Sequence, residues 1–381
     1  MNTCAPKKVL TALYALVYVI SSGGETLAIK ALNYADPFPL YLPGYTALLS
    51  NQMWLLMLPI YLYSLSHPNH PSQEVQKKYI EQQSVQQYLK QYFVMAILTF
   101  AITILRNLSL NLLPGSIFSL LISTSIAFNM ALNYFILKKS FNPYHLLAAI
   151  LCVCSAISIS SSGLTSHDHN NINEKGVLLA LGAAFFIAVM SVYQEHLQTL
   201  WSDVNFRIIE MTLVSSFIAS ILILAYSALS GELSTWKSSL ELTTQTHSGL
   251  ILVSAISVAL PILKLLVRNS KYSTIQYSSS FFFEFVQASS ALSCSVASIL
   301  LFNEKWSASY VCAFFFMTFS FIAYIQAKKI ARNSKSLHQK THINEVTLEI
   351  QTYPLVVATQ NPLSPSKGSS HNSKTMIESW Q

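Results

Sequence analysis

Three stretches of this chain carry no Asp, Glu, Lys, Arg or His: from Asn107 to Leu137, from Gly176 to Gln194, and from Met211 to Gly231. A helix needs about 20 mainly apolar residues to cross a bilayer. In hydrocarbon every backbone N–H and C=O must be satisfied within the protein, which favours helices over irregular chain. The first stretch exceeds one span, and Pro114-Gly115 supplies a turn inside it. Charged residues make up only 10% of the chain and hydrophobic ones 52%, against roughly 25% charged in soluble domains. The expected fold is an all-α membrane protein. Ten spans are expected at 9–32, 41–65, 91–112, 116–137, 144–162, 176–201, 208–229, 248–267, 273–302 and 308–328.

The net charge of +7 does not argue for nucleic acid, because the positive residues flank the spans as orientation by charge requires. With the N-terminus in the cytosol, the inner segments hold Lys7, Lys8, Lys77, Lys78, Lys90, Lys138, Lys139, Arg207, Arg268, Lys271, Lys328, Lys329, Arg332, Lys335 and Lys340. The outer segments hold only Lys175, Lys237 and Lys305, with Lys30 and Arg106 inside spans. An even span count places both termini in the cytosol. Lys7 and Lys8 before an apolar run resemble the start of a signal peptide, but no small-residue cleavage site follows, so an uncleaved first helix is expected. The five cysteines form no CxxC, and nothing calls for a disulfide framework, a metal or a cofactor. His167-Asp168-His169 reads as a solvated loop. The segmentation is a cytosolic N-terminus (1–8), a first repeat (9–162), an outside loop (163–175), a second repeat (176–328) and a polar, disordered cytosolic tail (329–381).

Two segments look alike: Ile136-Leu-Lys-Lys-Ser-Phe-Asn-Pro-Tyr144 and Leu301-Phe-Asn-Glu-Lys-Trp-Ser-Ala-Ser309, each a charged-aromatic turn followed by an apolar span. They end the fourth and ninth spans, so the two five-helix halves run in opposite orientation. Inverted repeats are the signature of secondary transporters, whose substrate site lies near the midplane between halves. The stretch Leu113-Pro-Gly-Ser-Ile-Phe-Ser-Leu-Leu-Ile-Ser-Thr-Ser-Ile-Ala-Phe128, the turn from Phe135 to Asn142, Phe302-Asn-Glu-Lys-Trp306 and Phe319-Ser-Phe-Ile-Ala-Tyr324 resemble the drug/metabolite transporter superfamily, and most closely the plant purine permeases. That resemblance implies a proton-coupled carrier of purines and related heterocycles in the plasma membrane rather than an internal one. The chain departs from the family in its first two spans and has a longer tail. Related branches carry nucleotide sugars, amino acids or drugs, which is the alternative within the carrier class.

Ionisable groups inside spans are costly and by default suggest function. Glu25 follows Ser21-Ser-Gly-Gly24 in the first span, and Glu284 lies behind Phe281-Phe-Phe283 in the ninth. Each carboxylate is a candidate proton carrier. Arg106 in the third span calls for a carboxylate partner or an anionic substrate. Gln287, three residues after Glu284, shares its helix face. Phe282 beside these polar groups would suit a flat heterocycle, although an aromatic run facing lipid is the plainer reading. Gln52 and Asn129 complete the expected substrate contacts. Asn51, Ser119, Ser123 and Asn133 are uncharged candidates that equally serve helix packing. The sequon Asn107-Leu-Ser109 lies inside a span, where glycosylation is not expected. Glu195 and Glu210 read as salt-bridge partners at a wet boundary, and Glu304 as structural.

No HExxH, GxSxG or intramembrane aspartate pair is present, so an intramembrane enzyme has no support. The expected repeat argues against a seven-helix receptor, and no charged ring or filter loop suggests a channel. The partners expected are a small-molecule substrate, the lipid bilayer and protons; a homodimer stays open.

Overall fold

The computed structural model describes residues 4–33, 42–66, 85–165, 173–200, 204–244, 247–302, 308–309 and 311–330. The elements among them are all helices: α1 (Cys4–Asn33), α2 (Pro43–Asn51), α3 (Met53–Ser66), α4 (Val85–Leu112), α5 (Gly115–Ile122), α6 (Ser125–Phe135), α7 (Pro143–Thr165), α8 (Glu174–Leu200), α9 (Val204–Leu229), α10 (Glu232–Thr244), α11 (His247–Tyr277) and α12 (Ser280–Phe302). A last helix, α13, runs Val311–Ile330. Among the described residues, eight segments are long and apolar enough to cross a membrane: α1, α4, the α5–α6 pair, α8, α9, α11, α12 and α13. The His167 triplet, Glu304, Trp306 and nearly all of the expected tail lie outside the described residues.

The pattern of burial is the reverse of a soluble bundle. On α1, Val9, Leu13, Leu16 and Ile20 are exposed, while Tyr18, Ser21, Glu25, Thr26 and Lys30 are buried. Lipid tails are as apolar as leucine, so helices associate through close packing and interhelical polar contacts instead of the hydrophobic effect. The α4–α8 contact illustrates both. Gly176, Ala180, Ala184 and Ala188 recur every four residues on α8, and all are buried. One small side chain per turn lets the backbones approach. At the end of this stripe, the Ser109 hydroxyl of α4 donates to the Gly176 carbonyl at 2.9 Å. A Cβ on Gly176 would stand 2.9 Å from both Leu112 Cβ and Leu113 Cγ.

Helix α1 packs on α11 and α12, and α8 packs on α4, α5 and α6. Helix α9 lies against α2, α3 and α4, while α11 also meets α2 and α3. Lys30 reaches across from α1 to the C-terminal end of α4, donating to the carbonyls of Leu113 at 2.9 Å and Leu110 at 3.4 Å. A cation there meets the negative end of the helix dipole and carbonyls that have no partner within the helix.

Several expected boundaries shift. The second expected span is two helices, interrupted at Gln52 between α2 and α3. The fourth breaks at Ser123-Thr124, whose hydroxyls bond back to the Leu120 and Leu121 carbonyls. Such local bonds compete with the helix ladder and open it. The main correction concerns the eighth span. Its expected end is 267, with Arg268 and Lys271 in a cytosolic loop, yet α11 continues to Tyr277 and both side chains are buried. The ninth begins accordingly at Ser280 and not at 273. The two cations interrupt hydropathy along the sequence, but they face other protein groups and not lipid, so they do not end the helix. Helix α10, which hydropathy does not predict, joins α9 to α11.

Candidate functional site

Seen from its residues, the middle of the bundle holds a polar cavity. Helix α1 contributes Tyr18, Ser22 and Thr26; α4 contributes Thr99, Thr103 and Arg106; α11 contributes Lys264, Arg268 and Lys271. Phe118 and Ser119 of α5, Ile187 and Met190 of α8, and Gln287, Ser290 and Cys294 of α12 complete the walls. The cavity volume is about 110 Å³.

Two carboxylates organise the charge. Glu25, 1% exposed, accepts from Arg106 at 2.9 Å and from Lys264 at 3.0 Å, using one oxygen for each. Arg106 also donates to the Thr26 hydroxyl at 2.6 Å. One buried anion thus ties α1 to α4 and α11. Pro261 in α11 removes a backbone donor less than one turn before Lys264. Glu284 is fully buried and forms no ion pair within 4.0 Å among the described residues. Its oxygens accept from the Ser125 hydroxyl at 2.5 Å and the Asn129 amide at 3.3 Å.

Gln287 connects Glu284 to the cavity. Its amide donates to Ser125 Oγ at 3.3 Å, and its carbonyl accepts from the Tyr18 hydroxyl at 3.4 Å. On the other side of Glu284, Asn133 donates to Asn129 Oδ1 at 2.6 Å and to Ser280 Oγ at 3.2 Å. Ser280 donates to Glu195 through its hydroxyl at 2.5 Å and through its backbone N–H at 3.1 Å. Glu195 in turn pairs with half-exposed Lys139 at 2.5 Å. A continuous polar track therefore runs from the cavity to the end of the bundle where α8 finishes and α12 begins. At the opposite end, Glu232 of α10 accepts the Gly44 N–H at 2.8 Å and the Tyr45 N–H at 3.3 Å, capping α2. A Cβ on Gly44 would stand 2.9 Å from Glu232 Oε2.

Of the residues singled out from sequence, Arg106 and Gln287 line the cavity, and Glu25 and Glu284 lie directly behind its lining. Asn129 does not touch the cavity; it holds Glu284. Gln52 sits half-buried at the α2–α3 break, away from the cavity lining. Phe282 faces α13, tilted against Tyr324 at 6.2 Å with the Lys328 ammonium 4.8 Å from its ring. Its neighbours Phe281 and Phe285 are buried against Tyr324 in an aromatic cluster, so the run neither stacks in the cavity nor faces lipid. Ser119 lines the cavity, whereas Ser123 lies beyond the end of α5. Asn51 bonds to the Ala47 carbonyl at 3.0 Å. The sequon residue Asn107 is buried, with its amide on the Pro43 carbonyl and Thr46 hydroxyl. Glu195 and Glu210 do form ion pairs, Glu210 with Arg207 at 2.9 Å. Sequence reasoning misses Lys264 as a site residue and assigns Arg268 and Lys271 to a loop, although their spacing of four and three places all three on one helix face.

A family model described as purine nucleobase transmembrane transport matches residues 44–334, more than half of the chain. The chain belongs to this family. It is thus a multi-pass membrane transporter and not an enzyme, and the resemblance read from its sequence holds. The match starts inside α2, so α1, with Tyr18, Glu25 and Thr26, lies outside it although it builds one wall of the cavity. No curated protein sequence matches the transporter. A solved structure described as "Crystal structure of protein" is similar with a TM-score of 0.52 and 14% identity, over 86% of this chain and 99% of that one. That likeness carries the fold alone.

Proposed function

We propose that the transporter moves purine nucleobases through the central cavity by alternating access, with two inverted five-helix halves (9–162 and 176–328) rocking around it. The observation that carries this reading is the cavity itself, mid-bundle, walled by both halves, with charged and hydrogen-bonding side chains converging on it. The packing pattern supports the inverted arrangement. Exchange α1 with α8, α2–α3 with α9, α4 with α11, and α5–α6 with α12, and the helix pairs in contact map onto one another. On this scheme α2–α3 and α7 complete the ten spans, as the second and the fifth. The Lys and Arg bias supports cytosolic termini, and the plasma membrane belongs to the same reading.

Glu284 is the better of the two candidate proton carriers. Protonating Glu25 would leave two buried cations without their counter-charge, which is costly. Glu284 is held by a hydroxyl and an amide, and protonating it breaks no ion pair. In this reading Glu25 orients Arg106 and Lys264, while Gln287, Arg106 and Tyr18 contact the base.

The test is uptake of radiolabelled adenine into proteoliposomes, with and without an inward proton gradient. Saturable, gradient-stimulated uptake with counterflow is expected. Glu284→Gln should abolish accumulation and spare exchange. Folded protein that takes up no purine would overturn the substrate, and accumulation that persists in Glu284→Gln would overturn the coupling role.

A further inference from the structure

The cavity holds more positive charge than its own carboxylates balance. Four cations line it: Arg106, Lys264, Arg268 and Lys271. Two carboxylates, Glu25 and Glu284, lie behind its walls, which leaves an excess of two positive charges. Arg106 and Lys264 share Glu25. Arg268 and Lys271 form no ion pair among the described residues, and each is less than one-tenth exposed. Arg268 is held by neutral groups, donating to Ser216 Oγ at 2.8 Å and to Ser215 Oγ, and its Nε is buried without any acceptor among the described residues. Its guanidinium carbon lies 5.9 Å from the Tyr272 ring. Lys271 sits over the Phe283 ring at 5.0 Å, with Glu284 acting on it at longer range. A buried charge without a partner is expensive, and the Arg268 Nε–H, beside the cavity, is open to an acceptor that enters it.

We infer that the cavity is built for a purine in its anionic form, an oxopurine that has lost a ring N–H proton, whose single negative charge is shared by Arg268 and Lys271 and halves the excess. This rests on the cavity being the purine site and specifies which purines it favours. A deprotonated oxopurine presents a ring nitrogen and exocyclic oxygens as acceptors at its edge, which suits guanidinium and ammonium donors. A neutral aminopurine presents an N–H₂ donor there instead, which Arg268 and Lys271 cannot accept. The inference also fits the proposed coupling, because an anion and a proton taken up together move no net charge.

The experiment compares radiolabelled urate, an anion at neutral pH, with adenine, which is neutral, for equilibrium binding to the purified full-length transporter. The buffer is chloride-free gluconate. Urate is expected to bind about tenfold tighter or more, the scale of one charge-assisted hydrogen bond. Arg268→Gln and Lys271→Gln should each shrink that gap by weakening urate more than adenine. Arg268→Lys, which restores the charge, should recover part of it, with melting curves confirming folded protein in each case. Adenine binding as tightly as urate, or a gap unchanged in both glutamine variants, would overturn the inference while leaving the purine site intact. Chloride strengthening adenine binding without urate competing would also overturn it, since an inorganic ion would then be the counter-charge. If neither base binds the folded protein, the purine-site reading itself falls.

Discussion

Glu25 shows how one buried residue can tie the helices of a membrane bundle together. It stands at 2.9 Å and 3.0 Å from two cations carried on different helices. Removing the carboxylate strands both. Glu25→Gln is therefore expected to destabilise the fold by about 3–5 kcal/mol, seen as a lowered melting temperature in detergent. Glu25→Gln combined with Arg106→Gln should recover part of the loss, and a double variant as unstable as the sum of the two single changes would show that no pair is shared. Glu284→Gln should behave differently. The amide oxygen can still accept from Ser125, so the melting temperature should stay near wild type while proton-driven accumulation is lost. The contrast between the two substitutions separates a structural carboxylate from a coupling one.

At the scale of elements, the interruptions matter as much as the helices. The Ser123-Thr124 break separates α5, whose Ser119 lines the cavity, from α6, whose Ser125 and Asn129 hold Glu284. The α4–α8 contact depends instead on unbroken helices and small side chains. Gly176→Ala places a methyl group where Leu112 and Leu113 already stand at 2.9 Å. Neither leucine contact lies at the far end of a flexible chain, so the helices must separate. Overpacking of this kind costs about 1–3 kcal/mol. A melting temperature unchanged by Gly176→Ala would mean that the α8 N-terminus is free to shift.

For the whole molecule, the proposed alternating access requires that each end can be closed without closing the other. The Lys139–Glu195–Ser280 cluster joins α8 and α12 to the turn after α6, and the Glu232 cap joins α10 to α2 at the other end. Through Ser280, Asn133 and Asn129 the first cluster is connected to Glu284, so a change at the central carboxylate has a direct mechanical route to that end. Glu195→Gln should loosen it. Cys294 lines the cavity and reports on access. In a background where the other cysteines are replaced, labelling of Cys294 by a membrane-impermeant thiol reagent should rise several-fold with Glu195→Gln, and a bound purine should protect it. Unchanged labelling would mean that the cluster does not control access.

Much of this protein is legible in the sequence because the membrane imposes a harsh rule on single residues. Long uncharged stretches have to span, and a charge inside them needs a partner, so Glu25, Arg106, Glu284 and Gln287 stand out from the one-dimensional pattern. The Pro114-Gly115 turn is visible for the same reason. The purine-family patches are legible as well, since they are runs of contiguous residues. Other features depend on which helix faces which. Phe282 and Gln287 lie on one helix, yet only packing sends the first toward Tyr324 and the second toward Tyr18. Gln52 and Asn129 are equally polar, but one sits at a break and the other holds Glu284. Lys264, Arg268 and Lys271 look like the end of a span in one dimension, because hydropathy averages along the chain and cannot register that a cavity in the tertiary structure is the solvent they face. The sequence alone therefore determined that this is a helical membrane transporter and which charges had to be sheltered; the tertiary structure decided what shelters them, because that depends on contacts between helices far apart in the chain.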